Sequence, residues 1–253
     1  MTGKDKATRA LVDGPADDGR TAELAGRLEA VRQRITAATA AAGRSDVPAL
    51  IVVTKFHPAA DIRRLAALGV RDVGENRDQE ASAKSVELAD LDVRWHFIGQ
   101  LQTNKAKTVA KYAYSVQSID RPQLVDALAK AVRREKEETG RADLRCFIQV
   151  NLDDSAGAHR GGAQPSEVLA LAEKITAADG LVLAGLMAVA PLGGDPEAAF
   201  GKLARISADL RAEYPSADAV SAGMSQDLEA AIGSGATHLR IGSDILGSRP
   251  AVG

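Results

Sequence analysis

Short apolar runs alternate with helical patterns along nearly the whole chain, and that cadence limits the fold more than any other feature. Strand-like runs fall at 49–54, 71–74, 94–98, 115–119, 144–151, 182–189, 219–223 and 239–241. Helical patterns lie between them at 59–68, 77–88, 102–112, 122–138, 165–178, 196–214 and 227–233. Ahead of the first run, 21–42 reads as another helix: Leu24, Leu28, Val31 and Ile35 recur at three- and four-residue spacing, and Gly43 supplies a stop. Prolines at several helix starts suit the first turn, where a missing N–H costs nothing. Eight strands alternating with helices match a single (β/α)8 TIM-type barrel. A doubly wound open sheet is the rival, because counting strands does not establish closure, and the weakly patterned second strand leaves the count open by one. No linker or composition shift interrupts the chain after residue 20. Residues 21–253 are therefore expected to form one domain behind a disordered extension over 1–20.

Composition narrows the function classes. The 253 residues are 45% hydrophobic and 26% charged, with a formal net charge of −2. That balance leaves no footprint for nucleic acid, and no basic run marks a membrane surface. No apolar stretch nears the roughly 20 residues needed to span a bilayer. The first 20 residues lack the apolar core of a signal peptide. The single cysteine, Cys146, excludes an internal disulfide and fits a cytoplasmic location; inside an apolar run it reads as a small core residue. The four histidines and that cysteine show no metal-ligand spacing. His238 is expected to face the surrounding helices, and the charge run over 133–138 is a solvated helix face.

In such a barrel the working residues stand at the C-terminal ends of the strands. Those positions carry Lys55, Glu75, Asn76, His96, Gly99, Ser118, Asp120, Asn151, Asp153, Met187, Met224, Ser225, Arg240, Gly242 and Ser243. The last quarter is the most informative. Gly223-Met224-Ser225 ends the seventh strand, and Ile241-Gly242-Ser243 follows the eighth. The loops after strands seven and eight, with a helix N-terminus, form the recurrent phosphate site of these barrels. Free backbone N–H groups point outward there, glycine lets the backbone approach closely, and Ser225 and Ser243 add hydroxyl donors. Taken singly, either loop reads as well as a glycine turn with a capping serine; two at the expected strands favour phosphate.

The stretch "ALIVVTKFHP", residues 49–58, sets Lys55 at the end of the first strand and on the same rim. Burial, or a nearby cation such as Arg240, would lower its pKa and leave the neutral amine that imine formation needs. A solvated surface lysine is the plain alternative. A phosphate grip beside an imine-forming lysine suits pyridoxal 5′-phosphate (PLP), an aldehyde carrying its own phosphate. A class I aldolase acting on a sugar phosphate has the same two requirements.

The motifs together resemble the YggS/PROSC family of PLP homeostasis proteins, from about Arg27 to Arg249. They run in order: Val53-Thr54-Lys55 with Pro58; Gly74-Glu75-Asn76 with Gln79-Glu80; Trp95-His96-Phe97-Ile98-Gly99 with Leu101-Gln102 and Asn104-Lys105; Ile148-Gln149-Val150-Asn151; Gly185-Leu186-Met187-Ala188; Gly223-Met224-Ser225 with Asp227 and 229–232; and Arg240-Ile241-Gly242 with Gly247 and Arg249. The resemblance implies a fold-type III PLP barrel like the N-terminal domain of alanine racemase, with PLP held covalently at Lys55. It implies that Met224, Ser225, Ile241, Gly242 and Ser243 form the phosphate loops, that Arg240 lies near the pyridine ring or phosphate, and that Asn76 and His96 contact the cofactor. It also implies PLP buffering or delivery in the cytoplasm without robust turnover, with apo PLP-dependent enzymes as acceptors and a monomeric state. A PLP-dependent racemase or lyase is the alternative. The end of the chain at Gly253, directly after the eighth unit, is expected to leave the cofactor open. An arginine at the pyridine nitrogen is expected to make it a poorer electron sink. This sequence departs from the family pattern at four places: His57 where a second lysine is common, Arg77 where an aromatic is common, Gln100 for a frequent proline, and His159-Arg160-Gly161 in a loop that usually carries lysine. His57 is expected to be a loop-surface residue.

Overall fold

The computed structural model describes residues 19–153 and 161–248. Eight parallel strands, β1 (Ala49–Val53), β2 (Asp72–Glu75), β3 (Arg94–Phe97), β4 (Ala113–Ile119), β5 (Leu144–Gln149), β6 (Leu181–Met187), β7 (Ala219–Ser221) and β8 (His238–Ile241), follow one another in sequence order and close into a barrel. Closure comes from β1 and β8, paired from Ala49↔His238 to Val52↔Ile241. The open-sheet alternative is thereby excluded. Strand β2 is weakly patterned because it carries Gly74, where a Cβ would sit 3.1 Å from Ile51 and 3.3 Å from Ile98. Glycine there leaves room for the side chains of Ile51 on β1 and Ile98 just past β3.

The helices wrap the outside: α1 (Gly19–Ala41) ahead of the barrel, then α2 (Ala59–Ala67), α3 (Asp78–Glu87), α4 (Ala106–Tyr112), α5 (Pro122–Thr139), α6 (Val168–Thr176), α7 (Pro196–Glu213), α8 (Leu228–Gly233) and the short α9 (Ser243–Leu246). Of the extension expected over 1–20, only Gly19 and Arg20 are described, and they open α1; 1–18 lie outside the described residues. The loop containing His159 and Arg160, and Arg249, lie outside them as well. Among the described residues no helix is long and apolar enough to cross a membrane.

Strand residues alternate between two environments. Outward side chains such as Val52, Val73, Cys146, Leu239 and Ile241 join the helices' apolar faces, including Leu24, Leu28, Val31 and Ile35 of α1, in one large core. Burial there pushes the Cys146 thiol up to about 12, as a structural cysteine requires. The barrel interior is different. Its apolar part includes Ile51 and a small cluster of Phe147, Ala184, Met187 and Ala219, and much of the remainder is polar. Gln117 on β4 and Ser221 on β7, strands that are not neighbours, hydrogen-bond through it.

His238 belongs to this interior, which corrects the expectation that it faces the helices. Its ring packs edge-on against Phe147, with centroids 5.6 Å apart. Since Leu239 and Ile241 point outward, period-two alternation turns His238 and Arg240 inward. Burial pushes His238 down to about 4, and the same cause lowers His96. A histidine with a depressed folded pKa costs nothing well above its unfolded value of about 6.5, but below it only the unfolded chain takes the proton. Stability is therefore lost as pH falls. Urea unfolding should show a loss of about 2 kcal/mol from His238 alone between about pH 7 and about pH 5. His238→Leu should flatten that part of the slope; an unchanged slope would contradict the assignment.

Candidate functional site

A cavity of about 790 Å³ opens at the C-terminal ends of the strands. Lys55, Met224, Ser225, Arg240, Gly242 and Ser243, all singled out in the sequence, line it together. Its far wall comes from the end of β5 and the residues after β5 and β6, including Gln149, Asn151, Val189 and Leu192. Three of the expected site residues stand off the wall. The Ile241 side chain is fully buried in the outer core, leaving only its backbone for the site. His96 is consumed lower in the barrel, with Nδ1 2.7 Å from Ser115 Oγ and Nε2 2.8 Å from Asp72 Oδ1. Asn76 lies against Gly99, where a Cβ would come 2.2 Å from the Asn76 carbonyl oxygen. The Asn76 Oδ1 atom is buried with no hydrogen-bond partner among the described residues.

Lys55 rides on a tight turn. The His57 N–H donates to Thr54 O at 3.1 Å, and Phe56 has φ 67, the left-handed conformation that a type II turn requires at its third residue and normally gives to glycine. A bulky aromatic there costs roughly 1–2 kcal/mol, so the surroundings must hold it. They do so from three sides. Glu80 Oε1 accepts the Phe56 N–H at 2.6 Å, and the Arg77 guanidinium sits 4.8 Å over the Phe56 ring. Buried Lys84 donates to Thr54 O at 2.9 Å, Glu75 Oε1 at 2.8 Å and Glu80 Oε1 at 2.6 Å. Thr54 Oγ1 donates to the same Glu75 oxygen at 2.7 Å. Burial raises the Glu75 pKa, although Lys84 opposes the shift. None of this bracing was read from the sequence, where Glu75 and Glu80 entered only as strand-end or motif residues and Lys84 was not singled out.

His57 was expected on the surface and is instead buried, lining the cavity beside Lys55. The reversal at Phe56 folds it back under the turn. Its Nδ1 is 3.9 Å from Asp61, and burial lowers its pKa, so the ring is neutral near neutral pH.

The opposite side of the cavity is built from the loops after β7 and β8. Ser225 Oγ and Ser243 Oγ come within 3.5 Å of each other, a convergence of two donors from separate loops. Gly242 lets the second loop lie against β1, since a Cβ would meet the Val53 carbonyl oxygen at 3.2 Å. Gly223, with φ +94, turns the first, and Asp227 Oδ1 fixes it by accepting the Met224 N–H at 2.6 Å. Helix α1 straps both loops from outside. Arg34 grips Glu229 with two bonds of 2.6 and 2.7 Å, and its Nη1 donates to Ser225 O at 2.8 Å and Asp244 at 3.3 Å. Nearer the start of the same helix, Arg20 donates to Leu246 O at 3.0 Å and to Asp61 at 2.7 Å. The seven-residue spacing of Arg20, Arg27 and Arg34 is the signal that could have revealed the strap.

Arg240 forms the cavity floor. Its Nη1 donates to Ser221 Oγ at 2.7 Å and its Nη2 to Ala188 O at 2.8 Å. Burial lowers its pKa to about 10, which still leaves it charged. The site therefore offers an amine, paired hydroxyl donors with a close backbone approach, and a fixed guanidinium around one space. A phosphate-bearing aldehyde meets all three. Among the described residues no group of His, Cys, Asp and Glu could hold a metal ion.

Comparison with known proteins agrees with this geometry. Residues 27–250 match the family model of the alanine racemase N-terminal domain. The chain is 44% identical over 203 residues to the pyridoxal phosphate homeostasis protein of Corynebacterium glutamicum, covering 79% of this chain and 90% of that relative. It is 41% identical over 245 residues to the protein of the same name from Mycobacterium tuberculosis, covering 91% and 94%. Among solved structures, PipY of Synechococcus elongatus PCC7942 with PLP bound matches at TM-score 0.75 and 33% identity, covering 88% of this chain and 100% of that one.

Proposed function

Because this chain belongs to the pyridoxal phosphate homeostasis protein family, we propose that it binds PLP covalently through Lys55 at the barrel mouth and holds and releases it in the cell without robust turnover. The observation that carries this reading is the convergence of Lys55 with Ser225 and Ser243 on one cavity. Bound there, PLP supplies an aldehyde whose condensation with the Lys55 amine releases one water. The turn bracing holds Lys55 at the wall. Ser225, Ser243 and the backbone around Met224, Ile241 and Gly242 take the phosphate. Arg240, which can only donate, is assigned to the pyridine nitrogen; that partner keeps the nitrogen unprotonated and so weakens carbanion chemistry. Asn76 and His96, off the wall, are assigned no direct contact. The proposed setting is a cytoplasmic monomer, with apo PLP-dependent enzymes as the acceptors.

Titrating PLP into cofactor-free protein should produce a visible absorbance band. Hydrogen bonds to a charged partner contribute about 1.5–3 kcal/mol, so Ser225→Ala and Ser243→Ala should each weaken binding by about 10-fold or more. Arg34→Ala, which acts only through the loops, should cost less. A panel of amino acids in deuterated water should show no fast exchange of the α-proton. Rapid exchange that disappears in Lys55→Ala would make the protein an enzyme and overturn the carrier reading.

A further inference from the structure

Below the cavity a chain of hydrogen bonds runs on from Arg240 into the barrel, through residues to which the proposed function gives no part. Arg240 Nη1 donates to Ser221 Oγ at 2.7 Å, and Ser221 Oγ donates to Gln117 Oε1 at 2.7 Å. Gln117 Nε2 stands 3.3 Å from His96 Nδ1, and His96 Nε2 stands 2.8 Å from Asp72 Oδ1. The other Asp72 oxygen accepts from Arg94 at 2.5 Å. The chain thus crosses the interior from the cavity floor to the first residue of β2, through β7, β4 and β3.

Its two ends fix every proton between them. A guanidinium can only donate, and a carboxylate can only accept. His96 must therefore carry its proton on Nε2, toward Asp72, and present Nδ1 as an acceptor. Gln117 must turn its amide NH₂ to His96 and its carbonyl to Ser221. Ser221 must aim its proton at Gln117 and keep a lone pair for Arg240. Ser115 Oγ, 2.7 Å from Nδ1, then donates to the same lone pair, which it shares with the longer contact from the Gln117 amide. Burial depresses the His96 pKa, in keeping with a ring that holds a single proton. Hydrogen bonds aligned in one direction polarise one another in a low-dielectric interior. Arg240 is fully buried, and the partners that hold it, Ser221 and the Ala188 carbonyl, are both neutral.

We propose that Asp72 and His96 are positioning residues for Arg240: acting through Gln117 and Ser221, they set the direction of the chain and so the hold of Arg240 on the bound cofactor. This rests on the PLP site proposed above. Histidine nitrogen-15 NMR on the full chain tests it independently of activity. Before PLP is added, His96 should be neutral with its proton on Nε2, and its Nδ1 resonance should move as the visible band forms. Gln117→Leu cuts the chain; the band should still form, the Nδ1 resonance should stay still, and PLP affinity should fall about 5- to 10-fold, the loss of one buried hydrogen bond. The isosteric Gln117→Glu, which cannot donate, should shift the His96 proton onto Nδ1 or add a second one, a change that a packing role would not produce. A wild-type proton on Nδ1, a resonance indifferent to PLP while the band forms, or wild-type affinity in a folded Gln117→Leu protein would each overturn the proposal. Absence of the band in wild type would mark failure of the PLP site itself, and the chain's role with it.

Discussion

Lys55→Ala should yield a folded protein that PLP no longer marks: after borohydride treatment the stable adduct should fall from about one per chain to none, in line with loss of the only amine assigned to the aldehyde. The substitution removes a side chain from the cavity wall and leaves the turn intact. The bonds that shape this turn use the Thr54 carbonyl and the N–H groups of Phe56 and His57, not the Lys55 side chain. The phosphate loops are also untouched, so PLP should still associate, weakly and reversibly, with no adduct left after reduction and dialysis. Persistence of a stoichiometric adduct in Lys55→Ala would assign the covalent anchor to another lysine.

The second large effect is on stability. Lys84→Met should cost about 3–5 kcal/mol, as expected when one partner of a buried ion pair is removed and the other stays behind. Lys84 bridges Glu75 and Glu80 and pins the Thr54 carbonyl, while Glu75 is 1% exposed and its Oε2 has no partner among the described residues. Without the ammonium, Glu75 must be buried charged or take a proton. Burial already raises its folded pKa above the unfolded value, and the substitution raises it further. A carboxylate shifted this way destabilises the fold above its unfolded pKa and ceases to do so below it. The gap between variant and wild type should thus be widest near about pH 8 and narrow toward about pH 5, where protonation of Glu75 relieves the buried charge. Urea denaturation at the two pH values measures it. Because the same lysine holds the turn, the variant should also load PLP more weakly than its stability loss alone explains. A midpoint equal to wild type at both pH values would show that the turn stands without the brace.

How much of this was legible in the sequence depended on how local the cause was. The strands could be read because most carry a short apolar run between helical patterns, and the helices because their apolar faces repeat at three and four. Lys55, Ser225, Arg240, Gly242 and Ser243 were found since a barrel gathers its strand ends on one rim, whatever their separation in sequence. Closure could not be read, for the β1–β8 ladder joins segments at opposite ends of the chain. The side on which His238 falls was missed for want of parity: Leu239 and Ile241 outward imply His238 inward. His57 looked like a loop residue because nothing local announces that Phe56 adopts φ 67; that conformation depends on Glu80 and Arg77. Lys84 and Arg34 were not singled out at all, because only the neighbouring loops give them their roles.

The central claim is the covalent anchor. Cofactor-free protein loaded with PLP, reduced with borohydride, digested and mapped by mass spectrometry should carry the pyridoxyl phosphate mass on the peptide containing Lys55 and on no other. A reduced adduct on a different lysine, or none on a protein that shows the visible band, would contradict the account.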